Sequence, residues 1–227
     1  MQSSFVFISV DEAEGGNKIH PYSHSVEWHG REGISLFTSK SINTLSHELG
    51  HLLGLPDLYT VNITSSSNEV NRKSYSPFSG SVMNNIGGSS YQLYDAEIVN
   101  RLSTQLVEDW DIWKVEAKKK SFIVLDRQSK ALPGVKISVY ASDASEEIYG
   151  YIDNAPEFNG ISDAEGRFVI NESMLGLDWK NAMKAFLFEI EQNNRREYLW
   201  LNTTDINRGY WYGTDDTSCY RLETSFR

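Results

Sequence analysis

The residues best suited to chemistry stand together in Ser46-His47-Glu48-Leu49-Gly50-His51-Leu52-Leu53-Gly54-Leu55-Pro56-Asp57. His47 and His51 are four apart, so a helix sets them on one face, one turn from each other. Two imidazoles so placed can hold one tetrahedral zinc ion. Glu48 follows the first histidine and would flank the metal, beside a water in the open coordination position. A general base for metal-assisted hydrolysis belongs there. Gly54 comes three residues after His51, where a helix ends best in a left-handed residue that glycine tolerates. The chain can then turn back, and Asp57 arrives ten residues after His47 as a third ligand, an oxygen donor that zinc accepts. Pro56 stiffens the turn before it. The plainer readings are a surface helix carrying two histidines and a carboxylate, and an ordinary turn aspartate at 57.

The pattern His47-Glu48-xx-His51-xx-Gly54-xx-Asp57 resembles the active-site helix of metzincin-type zinc peptidases. The fuller Gly54-Leu55-Pro56-Asp57-Leu58-Tyr59 is most similar to the immune-inhibitor-A-like branch, secreted bacterial endopeptidases with aspartate as third ligand. Ser81-Val82-Met83-Asn84-Asn85 matches the methionine turn of that family, with Met83 26 residues after Asp57. The resemblance implies that His47, His51 and Asp57 bind one catalytic Zn2+, that Glu48 is the base, and that Met83 underlies the site. It also implies a protein or peptide substrate and a secreted or cell-surface location. Some members carry a tyrosine ligand two residues after the methionine; Asn85 stands there, so no such role is assigned. Tyr91 and Tyr94 are oxyanion-donor candidates, with packing as the plainer role. Only 46 residues precede His47, short for the upstream half of such a domain, so the expectation is a minimal or truncated version.

Ser121–Asp126, Leu132–Tyr140 and Asp163–Phe168 resemble a transthyretin-like or carboxypeptidase-regulatory-like β-sandwich, an accessory module that implies no catalysis. Other constellations are weaker. His20, His24 and His29 could hold a second metal, though loop histidines are commonly just exposed. Gly33–Phe37 could add a peptide strand to a sheet edge. Asp163, Glu165, Asp215 and Asp216 could contribute to a Ca2+ site, with plain turns as the alternative. Trp200, Trp211 and Tyr212 could make a carbohydrate-binding face, yet sandwich aromatics usually pack in a core. Lys118–Lys120 reads as a solvated face, and Cys219 as an inert strand residue.

These residues need elements to position them. Ser41–Leu53 and Tyr94–Trp110 read as helices, the second from Ile98, Leu102 and Leu106 recurring every four residues. Phe5–Val10 and Gly33–Thr38 read as strands, Asp11–Gly30 and Val61–Gly80 as polar loops. Near residue 116 the text changes to short β-rich runs: Ser121–Leu125, Val135–Tyr140, Ile148–Ile152, Gly166–Ile170, Ala185–Glu191, Tyr198–Asn202, Tyr210–Tyr212 and Tyr220–Glu223. The expected fold class is α+β, with a metzincin-like zinc peptidase domain over 1–116 and an all-β sandwich over 117–227.

The chain has 227 residues, 21 basic against 31 acidic, a net charge of −10. Such an acidic chain repels phosphate backbones and makes nucleic acid a poor partner. With 40% hydrophobic residues it can fill a core, and no run reaches the roughly 20 apolar residues of a membrane span. One cysteine rules out an internal disulfide. Met1–Val10 lacks the basic-then-apolar form of a signal peptide. The expected activity is a zinc metalloendopeptidase. The alternative is an inactive adhesion or binding protein that retains that fold and uses its sandwich to hold glycan or protein.

Overall fold

The computed structural model describes residues 17–18, 27–28, 46–47, 50, 55, 57–84, 90–92, 95–96, 99, 116–144, 150–174, 184–212 and 217–226. Their strands are β1 (Asn17–Lys18), β2 (Glu27–Trp28), β3 (Ile63–Asn68), β4 (Lys119–Leu125), β5 (Lys136–Ala141), β6 (Asp143–Ala144), β7 (Gly150–Ile152), β8 (Phe158–Ile161), β9 (Arg167–Ile170), β10 (Ala185–Gln192), β11 (Arg195–Asn202) and β12 (Thr217–Glu223). Helix α1 (Thr203–Tyr212) joins β11 to β12, and Leu58–Val61 forms a 3-10 turn. Ser46, His47 and Gly50 are helical, as are Asp95, Ala96 and Val99. The expected strands Phe5–Val10 and Gly33–Thr38 lie outside the described residues.

Two sheets face each other over residues 119–223. One has the order β11-β10-β5-β8, the other β12-β4-β9. Alternation puts Phe122 and Val124 of β4 inside, opposite Ile137 and Val139 of β5 and Phe186, Phe188 and Ile190 of β10. Phe122 and Phe188 pack with ring centroids 4.9 Å apart. Each such phenyl ring contributes roughly 1.5–3 kcal/mol when fully buried. The β10–β11 hairpin turns through Asn193 and Asn194 at φ 51° and 62°. Two positive φ values in a two-residue loop suit the right-handed twist of the strands, and asparagine tolerates them better than most residues.

The sheet β11-β10-β5-β8 also has a covered outer face. β10 is buried on both sides at its start, with Ala185 and Leu187 pointing away from the sandwich core. Leu187 and Tyr140 meet Ile63 and Ile152, with Tyr75 and Trp200 packed alongside. Tyr75 stacks flat on Trp200 at 4.5 Å. β3 pairs in parallel with β7, Ile63 opposite Gly150 and Asn68 opposite Ile152. A β-carbon at Gly150 would come within 2.6 Å of the Thr60 carbonyl oxygen, so only glycine allows this approach. Residues on either side of position 116 thus share a sheet and a core.

Several expectations are corrected. Among the described residues the secondary structure is twelve strands, α1, the short 3-10 turn and isolated helical residues. The α+β class gives way to a mainly β fold. Ile63–Asn68, read as part of a polar loop, is β3: its Ser and Thr side chains face outward while Ile63 and Asn68 are buried. β1 and β2 pair within the other expected loop, and β8 was not expected. Tyr210–Tyr212 is not a strand but the end of α1. That helix starts with a capping box in which Asn202 Oδ1 accepts from Asp205 N at 2.9 Å and Asn202 N donates to Asp205 Oδ2 at 3.2 Å. Lys120 is not solvated. It is 1% exposed, and its Nζ donates to Glu116 Oε2 and Ala117 O at 3.1 and 3.0 Å. Among the described residues no helix is long and apolar enough to cross a membrane.

Candidate metal centre

His47 stands on a helical stretch and is 4% exposed. Its Nδ1 lies 2.9 Å from the Val82 carbonyl oxygen. A carbonyl only accepts, so Nδ1 carries the proton there. Nε2 then faces Asp57 Oδ1 at 3.0 Å. A lone pair opposite a carboxylate oxygen is repulsive unless a proton or a cation lies between them. Metal-binding histidines typically donate their second N–H to a carbonyl or carboxylate, which sets tautomer and ring plane. Two tetrahedral zinc ligands of this kind stand about 3.3–3.6 Å apart, given zinc–ligand bonds near 2.0–2.2 Å. The nitrogen–oxygen donor set suits a zinc ion, and the pair stands a few tenths of an ångström closer than two such ligands would.

Asp57 precedes the 3-10 turn Leu58–Val61 at φ −67° and ψ 109°, yet its side chain makes no cap bond to that turn. The carboxylate is directed to His47 instead, which distinguishes it from a plain turn aspartate. Behind it, Leu55 N donates to the carbonyl oxygen of the helical Gly50 at 3.0 Å. Tyr59 lies near His47 with its ring almost parallel, centroids 6.5 Å apart.

The segment Ser81–Asn84 forms the floor. Met83 is fully buried, and Leu58 N donates to its carbonyl at 3.0 Å. Met83 N donates to Ser81 Oγ at 2.9 Å, and Val82 N to Ser90 O at 3.0 Å. The Ser81 hydroxyl donates in turn to Asp95 Oδ2 at 2.9 Å, and Gln92 N donates to the same oxygen at 2.6 Å. Burial pushes the Asp95 carboxyl above its ordinary value, while the Gln92 N–H and the Ser81 hydroxyl pull it down. Leu55, Leu58, Val61, Phe78, Val82, Met83 and Ala185 pack into one cluster under the pair, with Trp200 against it. The four-stranded sheet is thus the bed of the site.

The structure brings together His47, Asp57 and Met83. Glu48, His51 and Gly54 lie outside the described residues, as do His20, His24, His29, Gly33–Phe37, Asn85, Tyr94, Asp215 and Asp216. Among the described residues no group of three His, Cys, Asp or Glu gathers as a metal cluster. The Tyr91 hydroxyl donates to the Ser46 carbonyl, and burial followed by the Asp95 carboxylate raises its pKa. Asp163 Oδ1 accepts from Glu165 N and Arg167 N at 3.0 and 2.7 Å, the bonding of a turn. Trp200 packs against the inner clusters, and Cys219 is exposed. Ser81 and Asp95 were not recognised from sequence as partners. Gln92 and Asp95 stand at the spacing of half a capping box, a signal that could have pointed to them.

No family model matches the chain, and no curated protein matches it. Among solved structures, the chain is similar to the dioxygenase domain of a dioxygenase carbohydrate-binding protein fusion from Streptomyces sp. SirexAA-E. That match has 13% identity and a TM-score of 0.30, over 48% of this chain and 79% of that one. It is also similar to catechol 1,2-dioxygenase from Pseudomonas arvilla C-1, at 17% identity and a TM-score of 0.28, over 46% and 50%. At these scores neither likeness carries an argument about this chain. The metzincin-type resemblance, with its immune-inhibitor-A-like branch and its accessory sandwich family, is corrected on the fold: the described residues are mostly strand, where that resemblance implies an α+β domain. So are the zinc metalloendopeptidase activity and the peptidase fold that the binding-protein alternative would retain. The physical reason is that a motif of five fixed positions constrains one helix and one turn, not the domain around them.

Proposed function

We propose that the chain is a metal-binding protein whose ligands are His47, His51 and Asp57, with zinc as the ion. The observation that carries this reading is the His47 ring, with Nδ1 held by the Val82 carbonyl and Nε2 3.0 Å from Asp57 Oδ1. His51 joins by its sequence spacing alone, four residues after His47. Nitrogen and oxygen donors of this kind suit zinc better than calcium or magnesium, which favour all-oxygen sets. His47 and Asp57 would hold the ion, which would supply the positive charge that an imidazole lone pair facing a carboxylate calls for. The sandwich acts as scaffold, through Ala185 and Trp200 beneath the floor cluster.

Metal analysis after dialysis and zinc back-titration tests this. One zinc per chain, lost in His47→Ala and weakened in Asp57→Ala, supports it. Zinc at 100 times its Kd should add about 2.7 kcal/mol of stability. No zinc uptake by the folded protein overturns the reading and leaves His47 and Asp57 as a proton-bridged pair.

A further inference from the structure

Asp95 is 1% exposed, and its carboxyl group lies against the floor segment at Ser81. Its Oδ2 accepts from Ser81 Oγ and from Gln92 N, at 2.9 and 2.6 Å. Its Oδ1 is buried with no hydrogen-bond partner among the described residues. An aspartate that only capped a helix could do so from the surface, with its carboxylate in water. Enclosing a carboxyl with one oxygen unsatisfied costs more than leaving it there, so the cap alone does not account for its burial.

The second bond points to what else it does. Ser81 Oγ is held between Asp95 Oδ2 and Met83 N, which donates to it at 2.9 Å. Those two anchors bracket Val82 on either side. Val82 N is tied to Ser90 O, so the peptide is fixed from three directions and its carbonyl projects at His47 Nδ1. A carbonyl in a turn is otherwise free to rock, and a rocking acceptor does not select one imidazole tautomer.

We propose that Asp95 is a positioning residue for His47, acting through the Ser81 hydroxyl and the Val82 carbonyl to hold the ring with Nε2 toward Asp57. This rests on the reading of His47 as a metal ligand. Outer-shell partners of this kind are typically worth about 10–100-fold in metal affinity. Asp95 reaches the ring through two intermediaries, so the lower part of that range is expected.

The test uses the full chain with Ser81→Ala, Asp95→Ala and Asp95→Asn. Zinc affinity is measured by competition with a chromophoric chelator, and the His47 tautomer by nitrogen-15 NMR without metal. Ser81→Ala removes the relay and leaves the Gln92 bond in place. It should weaken zinc about 10-fold and mix the two neutral tautomers of His47. Asp95→Ala should do the same. Asp95→Asn keeps an acceptor oxygen and should recover affinity to within about 3-fold. Unchanged affinity and a single Nδ1–H tautomer in Ser81→Ala overturn the proposal, whether or not Asp95→Ala folds. His47→Ala runs in parallel. Zinc retained there sinks the metal reading itself, whereas zinc lost there but kept in Ser81→Ala sinks only the role of Asp95.

Discussion

Gly50 faces Met83 so closely that a β-carbon on the glycine would overlap the methionine sulfur. The helix bearing His47 therefore rests on the floor segment with no room for a side chain between them. Gly50→Ala should push Met83 aside and cost about 1–3 kcal/mol by overpacking. Because Met83 is next to Val82, zinc affinity should fall with it. Gly50→Ala combined with Met83→Ala should regain part of the loss. Denaturant unfolding of the two variants decides this, and equal stability of Gly50→Ala and wild type would remove the close fit.

The stacked pair Tyr75 and Trp200 joins residues before position 116 to the four-stranded sheet. Trp200→Ala should cost about 3–5 kcal/mol, because the indole touches both inner clusters. Tyr75→Ala should cost less in total. The double variant should fall short of the sum by about 0.5–1.5 kcal/mol, the worth of the ring contact. Strict additivity in a double-mutant cycle would count against the stack.

Asp95 sets a pH dependence. Its carboxyl is raised above the ordinary 3.8, so the folded protein holds the proton more tightly than the unfolded chain does. Between the two values the native state binds more protons, and stability contributed by this group falls as pH rises. It is fully present below the unfolded value and lost as pH passes the folded one. The stability of wild type relative to Asp95→Asn should therefore decline as pH rises above the ordinary value of 3.8. Urea titrations from that value upward test it, and a gap that grows with pH would contradict the assignment.

Lys120 and Glu116 form a nearly enclosed ion pair at 3.1 Å, with side chains 1% and 12% exposed. Glu116 Oε2 also accepts from Met174 N at 3.1 Å. Lys120→Ala strands that carboxylate and should cost about 3–5 kcal/mol. Replacing both partners with apolar residues of similar size should cost far less. Thermal unfolding of the single and double variants separates these outcomes.

Strands with clear alternation or strong β-branched content were legible. β4, β5, β9, β10 and the end of β11 follow the runs that sequence picks out, because each buries at least one face and β10 buries both at its start. β3 was not, since its exposed Thr and Ser side chains hide two buried ends. α1 was missed for a different reason. Trp211 and Tyr212 favour strands by type, and the capping box at Asn202 and Asp205 overrides that preference. The closeness of His47 and Asp57 was legible from their spacing. The buried Asp95 was not, because its partner Ser81 lies 14 residues away and the bond depends on how two turns pack. The Lys run misled because burial of Lys120 depends on Glu116 one helical-turn spacing earlier, which composition cannot show.

The parallel pairing of Ile63 with Gly150 has a bearing on the order in which the molecule assembles. The loop that must close to form it is long, and its entropy is lost before any contact repays it. The β10–β11 hairpin, with two residues in its turn, meets no such barrier. The sandwich can gather from local pieces, whereas β3 must wait for β7 and for the finished outer face of the sheet. Asp57 and the floor segment are anchored to that same late-forming layer. The pair His47–Asp57 is thus expected to be among the last contacts made in folding and among the first lost on unfolding. Hydrogen exchange should show the Val82 and Leu58 amides opening before those of Phe186 and Phe188.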